Sequence, residues 1–234
     1  MILRRNESDR FSTVAREWEG QTAVLFGGGP SLTQEQVELV RAAGRVKCVA
    51  VNDAYLWADF ADVCYFADAK FFRWQQEGVA KPALGLTEEQ VRERWAEFPG
   101  QKCSIENSMA YIDDPAVYLL RNAHFPYHGT GLSLDPGRVV TGRNSGFQAL
   151  NLAILAGAKR IILLGFDGRP NAEGKTHFFG EHPTPTPAAV WQEIQKAFSA
   201  AESAIEAAGV RVVNCSPGSF IDSFPKMALQ DAME

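Results

Sequence analysis

The chain has 234 residues, 46% of them hydrophobic and 22% charged, which is enough apolar material for one α/β domain with insertions. The net charge of −5 lacks the positive excess that is typical of nucleic-acid-binding proteins. No apolar run approaches the roughly 20 residues that a membrane span needs. The four cysteines lack metal-binding spacing and the first residues lack a signal peptide, so we expect a cytoplasmic protein with buried, reduced thiols.

The N-terminal stretch differs in composition from the rest of the chain. Residues 1–20 are polar and carry several charges, which predicts an arm or a short helix. We expect residues 21–234 to form a single domain. A poorly patterned region at about 79–138, bracketed by prolines and ending in a Gly/His/Pro-rich stretch, predicts an insertion or lid within that domain.

The chain is organised around the stretch from Ala23 to Asp53. An apolar run over residues 23–26 predicts a strand buried on both faces, and an amphipathic helix and a second strand come after it. Gly27, Gly28 and Gly29 break the strand, and Pro30, Ser31, Leu32 and Thr33 are expected to open the helix. Such a turn lets a ligand approach the main chain and presents N–H groups at a helix N-terminus, where an anion is favoured. The turn predicts a phosphate or nucleotide cradle, or else a tight strand-to-helix turn that binds nothing.

The glycine turn matches neither of the two common nucleotide motifs. The dinucleotide fingerprint needs a glycine where Leu32 stands, and no Gly-Lys-Ser/Thr follows as in a P-loop. Strands and helices nevertheless alternate along the rest of the chain. Further strands are predicted near residues 62–68, 102–105, 160–164 and 210–214, and helices near 87–95, 147–156 and 188–208. This alternation predicts a Rossmann-like α/β fold with a mostly parallel sheet and helices on both faces.

Polar residues and glycines end several of the predicted strands. In open α/β sheets, ligands bind outside the carboxyl ends of the strands, although turns also need such residues. The candidate nucleotide-binding residues at these ends are Asn52, Asp53, Gly165, Phe166 and Asp167, with Asp68, Asn214, Cys215 and Ser216 as further strand-end residues. Ser145 and Gly146 begin a helix, which predicts either a second anion-binding turn or an ordinary cap.

Two histidines lie in a loop bounded by glycine and proline. His177 and His182 are candidates for proton transfer because histidine titrates near neutral pH, although a lone loop histidine is more often a surface or capping residue. Asp53, Asp68 and Asp167 would hold Mg²⁺ if the strand ends brought them together, and otherwise serve as hydrogen-bond acceptors. The spacing of the two histidines predicts no metal site.

The chain resembles a known group of sequences in the string from Gly27 to Leu32 and in Val51-Asn52-Asp53, Ser145-Gly146, Gly165-Phe166-Asp167, His182 and Cys215-Ser216-Pro217. These are bacterial and phage or prophage proteins of the 6-hydroxymethylpterin diphosphokinase MptE-like domain family. The resemblance covers residues from about 22 to about 225. The motifs are also distantly similar to those of bacterial sialyltransferases that use CMP-sialic acid.

The resemblance implies roles for the matched residues. The glycine turn and Asn52 would contact nucleotide phosphate and ribose, Ser145-Gly146 would form a second phosphate-side turn, and Gly165-Phe166-Asp167 would contact the base. His182 would be the general base. The chain departs from the sialyltransferase pattern at Gly28, where those enzymes have asparagine. It also lacks a counterpart of their tyrosine pair, so Arg143 or Arg169 is the candidate for neutralising the leaving phosphate.

Three functions remain open from the sequence. The first is a glycosyltransferase-like enzyme that moves a sugar from a nucleotide-sugar donor to a hydroxyl-bearing acceptor. The second is a diphosphokinase that uses ATP with Mg²⁺. The third is a nucleotide-binding module without turnover. The partners expected are small molecules, with nucleic acid unsupported by the charge, and the sequence leaves a homo-oligomer open.

Overall fold

The computed structural model describes residues 1–184, 187 and 189–234. In chain order the strands are β1 (Leu3–Arg5), β2 (Ser12–Val14), β3 (Thr22–Phe26), β4 (Lys47–Val51), β5 (Val63–Tyr65), β6 (Gln101–Ile105), β7 (Val117–Asn122), β8 (Arg138–Val139), β9 (Arg160–Leu164) and β10 (Arg211–Asn214). The helices are α1 (Gln34–Ala43), α2 (Ala69–Glu77), α3 (Glu88–Glu97), α4 (Ser145–Leu155), α5 (Ala189–Ala207) and α6 (Leu229–Met233). The expected helix start at Ala188, and Pro185 and Thr186 in the loop before it, lie outside the described residues.

Eight of these strands form one parallel sheet in the order β10-β9-β3-β4-β5-β6-β7-β8. From β3 the chain adds strands in one direction, and it then returns to place β9 on the other side of β3. This reversal makes a switch point between β3 and β9, where the outgoing loops part and leave a crevice. The predicted Rossmann-like α/β fold with a mostly parallel sheet is confirmed.

Both faces of the sheet are covered because successive residues of the central strands are apolar on both sides. Ala23 and Leu25 of β3 belong to a core with α4 and α5, whereas Val24 and Phe26 belong to a core with α1, α2, α3 and α6. This double burial explains why the strands are near-continuous apolar runs rather than alternating ones. The four cysteines are free and buried, as expected. Within the described part of the chain, no helix is long and apolar enough to cross a membrane.

The first twenty residues form a two-stranded antiparallel sheet, not the short helix that their composition allowed. β1 and β2 pair, and Ile2, Leu3 and Trp18 are buried in the core beside α4 and α5. The Gln101 side chain clamps this hairpin, because its amide accepts a hydrogen bond from the Leu3 N–H and donates one to the Leu3 carbonyl, both at 2.9 Å. The apolar residues scattered among the charges were the signal that the expectation of a polar arm ignored.

The region at about 79–138 contributes strands to the main sheet. β6 and β7 lie within this range and pair with β5, with each other and with β8. The apolar face of α3 packs into the same core as α1 and α2, with Val91 and Trp95 buried. A large part of the predicted insertion is therefore integral to the sheet, and the domain boundaries stay a prediction.

Candidate active site

A cleft of about 780 Å³ opens at the carboxyl edge of the sheet, where the loops after β3 and β9 part. Of the candidate site residues named from the sequence, those that line it are Gly27, Gly28, Gly29, Asn52, Asp68, Arg143, Ser145, Gly146, Gly165, Phe166, Asp167, Arg169, His177 and His182. Pro30, Ser31 and Asp53 do not belong to its described lining. The topology thus brings together residues that lie more than 150 positions apart in the chain.

The three glycines of the β3–α1 turn are needed for close packing, not for special backbone angles. None of them has a positive φ. A Cβ on Gly27 would lie 2.5 Å from the Gly165 carbonyl oxygen, and one on Gly29 would lie 1.9 Å from Asp167 Oδ2. A Cβ on Gly28 would meet only the rings of Phe179 and His177, at 3.3 and 3.4 Å. The absence of a Cβ at Gly27 and Gly29 therefore allows the turn to pack against the end of β9. Gly28 faces the loop that contains His177 and His182.

The first helix does not begin inside this turn. α1 begins at Gln34, and Thr33 caps it in a capping box with Gln36. Ser31 instead donates its hydroxyl to Asp167 Oδ2 at 2.9 Å. The expectation that Pro30 opens the helix and that its N-terminus faces a ligand is therefore wrong, because a residue three positions later supplies the cap.

Asp167 joins the two loops at the switch point. Its carboxyl is 7% exposed, and burial raises its pKa although the hydrogen bond from Ser31 opposes this. The backbone of Phe166 is held from below by the loop after β10, where its N–H donates to Ser216 Oγ at 2.7 Å and its carbonyl accepts from Ser219 Oγ at 2.6 Å. The predicted strand-end residue Ser216 thus supports the cleft without lining it.

Two asparagines of the cleft wall have amide oxygens without a hydrogen-bond partner among the described residues. Asn52 follows β4 with φ +52°, a left-handed conformation that only a few per cent of non-glycine residues adopt. Asn107 follows β6 and was not named from the sequence, although the strand-end rule that found Asn52 applies to it as well. Both residues line the cleft, and both Oδ1 atoms are buried without a hydrogen-bond partner among the described residues. Such oxygens are satisfied when a ligand donates to them.

The N-terminus of α4 forms another wall of the cleft. Asn144 caps the helix by accepting a hydrogen bond from the Phe147 N–H at 2.8 Å. Arg143 precedes the cap with φ +52° and is exposed, while its side chain contributes to the lining. Ser145 is half-buried, and Gly146 packs so closely on Phe166 that a Cβ would lie 2.7 Å from its ring. A helix N-terminus with a neighbouring arginine is a favourable environment for an anion.

The two loop histidines meet over the glycine turn. Their ring centroids are 4.4 Å apart, and the His182 ring stacks on Trp74 at 5.3 Å. The Phe178 N–H donates to the Gly28 carbonyl at 3.1 Å, which ties the loop to the turn. Burial lowers the pKa of each histidine to about 4, so both are neutral at pH 7.

The tautomer of His177 follows from the direction of the hydrogen bond that the Thr176 hydroxyl donates. Thr176 Oγ1 lies 2.7 Å from Glu181 Oε2 and 2.7 Å from His177 Nδ1. Hydrogen bonds from Thr176 lower the pKa of Glu181, so this carboxylate only accepts. The Thr176 hydroxyl therefore donates to Glu181 and accepts from Nδ1–H of His177, which leaves the lone pair on Nε2.

Asp53 lies beneath the cleft, out of reach of a ligand. Its carboxylate is 0% exposed and pairs with Lys81 Nζ at 2.9 Å, which corrects its expected role as a nucleotide contact. Asp68 caps α2 by accepting from the Lys70 N–H at 2.8 Å, and Asp167 holds Ser31. The described residues contain no group of three or more His, Cys, Asp or Glu that would hold a metal. The expected Mg²⁺ ligands therefore do not converge.

The fold is similar to that of a known glycosyltransferase. No protein-family model and no curated protein matches the chain. The MAf glycosyltransferase from Magnetospirillum magneticum AMB-1 superposes with a TM-score of 0.52 and 17% identity, over 91% of this chain and 34% of that protein. This chain thus spans about a third of that protein's length.

A second solved structure is that of the sialyltransferase CstII from Campylobacter jejuni in complex with a substrate analogue, cytidine-5'-monophosphate. Its TM-score is 0.49 with 13% identity, over 90% of this chain and 86% of that one. At such identities a likeness shows the fold alone. Membership in the MptE-like family stays a prediction.

Proposed function

We propose that this chain is a nucleotide-dependent group transferase of the glycosyltransferase type. It would bind a nucleotide-sugar donor in the cleft and pass the sugar to an acceptor hydroxyl. The observation that carries the proposal is that Asn52, Asn107, His177 and His182 line one cleft at the switch point. The two asparagines have buried amide oxygens without a hydrogen-bond partner among the described residues, and the two imidazoles are neutral at pH 7. The fold shared with a known glycosyltransferase adds support but does not by itself fix the function.

Nucleotide binding is supported by the chemistry of the cleft wall. Asn52 and Asn107 offer oxygens that accept from ribose hydroxyls or from an exocyclic amine of the base. Arg143 and the N-terminus of α4 offer positive charge and N–H donors for phosphate. The identity of the base and the sugar is left to experiment.

The transfer itself needs a base for the acceptor hydroxyl. His182 is the proposed base: its imidazole is neutral at pH 7, because burial lowers the pKa to about 4, and it lines the cleft. As the acceptor oxygen forms its bond to the anomeric carbon, the bond from that carbon to the donor phosphate breaks. The hydroxyl proton passes to His182, and the nucleotide leaves as an anion that Arg143 would stabilise.

The first experiment is a thermal-shift panel with CMP, CDP, UDP, GDP, ADP and ATP, each with Mg²⁺ and with EDTA. A ligand that binds only the folded state stabilises it by RT ln(1 + [L]/Kd), so weak binding registers. We expect a metal-independent shift with at least one nucleoside mono- or diphosphate. A set of shifts that occurs only with ATP and Mg²⁺ would favour the diphosphokinase, and no shift at all would refute nucleotide binding.

The second experiment separates an enzyme from a binding module. His182→Gln should keep the nucleotide shift and lose about 10²- to 10⁴-fold in the rate of transfer or donor hydrolysis. His124→Gln is the matched control, because His124 lies outside the described lining of the cleft. Equal rates for wild type and His182→Gln would contradict the assignment of the base.

A further inference from the structure

A buried carboxylate and a buried imidazole face each other below the cleft. Asp53 Oδ1 accepts a hydrogen bond from Gln75 Nε2 at 3.2 Å and pairs with Lys81 at 2.9 Å, whereas Oδ2 has no partner within the described chain. His182 Nδ1 lies 3.9 Å from this Oδ2 and is likewise buried without a hydrogen-bond partner among residues 1–184, 187 and 189–234. A ring nitrogen that can donate a proton and a carboxylate oxygen that can accept it thus lie close together, each without another hydrogen-bond partner among the described residues.

The His182 ring is fixed with its other side toward the cleft. Trp74 stacks on the ring, and the rings of His177 and Phe179 approach it at centroid distances of 4.4 and 5.0 Å. The side chain is 16% exposed although Nδ1 is buried, so the exposed part belongs to the remaining ring atoms. A proton on Nδ1 would serve the carboxylate below and leave the lone pair of Nε2 for the cleft.

We propose that Asp53 is a positioning residue for His182. Its Oδ2 accepts a hydrogen bond from Nδ1–H, holds the imidazole in the tautomer whose Nε2 accepts the acceptor's proton, and stabilises the imidazolium that results. This inference rests on the proposed role of His182 as base. The gap of 3.9 Å exceeds a hydrogen bond, and it closes by a shift of about 1 Å of the kind that substrate binding produces at catalytic pairs.

The charges around His182 suit this role. Burial is the largest effect that lowers the pKa of His182, and Lys81, which pairs with Asp53, lowers it further. Glu181 and Asp68 act in the opposite direction, and burial, the largest effect, keeps the ring neutral. His177, on the remaining side, is neutral as well. The base is therefore unprotonated at pH 7, and Asp53 lies where the arriving charge needs a partner.

The Asp53–Lys81 pair offers a different and purely structural explanation for this carboxylate. A variant must therefore remove the charge of Asp53 without leaving Lys81 buried and unpaired, which would be strongly destabilising. The double variant Asp53→Asn/Lys81→Met does this, because it keeps the side-chain volumes and neutralises both partners. The single variant Lys81→Met leaves the buried carboxylate without its ion-pair partner beside His182, so it should be less stable than the double variant.

The test is the tautomer of His182, read from the side-chain ¹⁵N shifts of the free protein, with His182→Gln identifying the signal. We expect Nδ1–H in the wild type, and a shift to Nε2–H or a mixture in Asp53→Asn/Lys81→Met. In Lys81→Met the pKa of His182 should rise. A wild-type Nε2–H tautomer, or an unchanged tautomer in the double variant, would overturn the inference, and the wild-type result decides even if the double variant fails to fold.

Kinetics then distinguish positioning from structure. In Asp53→Asn/Lys81→Met, kcat should fall by about 10- to 10³-fold while the KM for the donor stays within about twofold, because Asp53 does not line the cleft. A larger KM with unchanged kcat would contradict positioning. If the wild type shows no transfer at all, the proposed function fails, whereas the tautomer still decides whether Asp53 orients His182.

Discussion

The conformation of Asn52 leads to a prediction that separates folding from binding. This residue sits at φ +52° with an unpartnered, buried Oδ1, within the described residues, at the edge of the cleft. Both features disfavour the folded protein in the absence of a ligand. Replacing Asn52 by glycine removes both, whereas replacing it by alanine removes the amide but keeps a Cβ in the left-handed conformation. Both variants therefore lose the amide, and they differ in backbone strain and in the entropy of the unfolded chain.

The expected difference in the free energy of unfolding comes from these two features. A Cβ in the left-handed region costs about 1–2 kcal/mol, and glycine loses about 0.4–1 kcal/mol through the larger entropy of its unfolded chain. Asn52→Gly should therefore be more stable than Asn52→Ala by about 1 kcal/mol, or about 2–4 °C in Tm for a chain of this size. It should be at least as stable as the wild type. Both variants should bind nucleotide about 2- to 12-fold more weakly, because each lacks one hydrogen bond worth about 0.5–1.5 kcal/mol.

The assay is thermal unfolding of the three proteins over a nucleotide titration. The stability order without ligand tests the backbone strain, and the ligand-induced shift tests the contact. Wild-type affinity in both variants would refute a role of the Asn52 amide in binding. Equal stability of the glycine and alanine variants would refute backbone strain at this position.

Three further changes test the frame of the cleft and its titration. Gly29→Ala places a Cβ 1.9 Å from Asp167 Oδ2, so chemical denaturation should show a loss of about 3 kcal/mol or more. Ser216→Ala leaves the buried Phe166 N–H without its acceptor and should cost about 1–3 kcal/mol in the same assay. The pKa of His177 falls from 6.5 to about 4 on folding, so its contribution to stability is full above pH 6.5 and is lost as the pH falls toward 4. His177→Gln should flatten the stability–pH curve between those values.

The controls for these variants come from neighbouring positions. Gly28→Ala meets only the ring atoms of Phe179 and His177, at 3.3 and 3.4 Å, and should cost much less than Gly29→Ala. Ser133 Oγ accepts a longer hydrogen bond, at 3.3 Å, from the N–H of the exposed Asp135, so Ser133→Ala should cost less than Ser216→Ala. Equal losses within either pair, or an unchanged pH slope in His177→Gln, would contradict the described contacts.

Local signals in the sequence were sufficient for the main elements. The apolar runs around Val24 and Ile162 predicted buried strands, and the glycines after the helices predicted their ends, as with Gly44 in a left-handed cap. Buried parallel strands and helix caps are determined by residues close together in the chain, so a short stretch of sequence is enough to predict them. The start of α1 was misplaced because Pro30 suits a first helical turn, yet Thr33 and Gln36 supply the capping box.

The parts of the site that escaped prediction depend on distant contacts. From the sequence, Gly29 is expected to provide backbone freedom. In the structure, a side chain at this position is excluded by the Asp167 carboxylate, 138 positions later in the chain. Asp53 reads as a strand-end ligand contact, but Lys81, from a segment without a clear pattern, places it in a buried ion pair. The sequence holds the residue types of the cleft, whereas the folded chain decides which of them face a ligand and which face one another.

Lys81 also changes how the segment after α2 should be understood. A lysine 3% exposed, paired with a fully buried carboxylate and 4.7 Å from the Phe179 ring centroid, cannot leave without stranding Asp53 in the interior. Phe179 belongs to the same loop as His177 and His182, so one ammonium group contacts both the floor of the cleft and its histidine loop. A lid that opened by lifting Lys81 would therefore have to break a buried ion pair at every turnover.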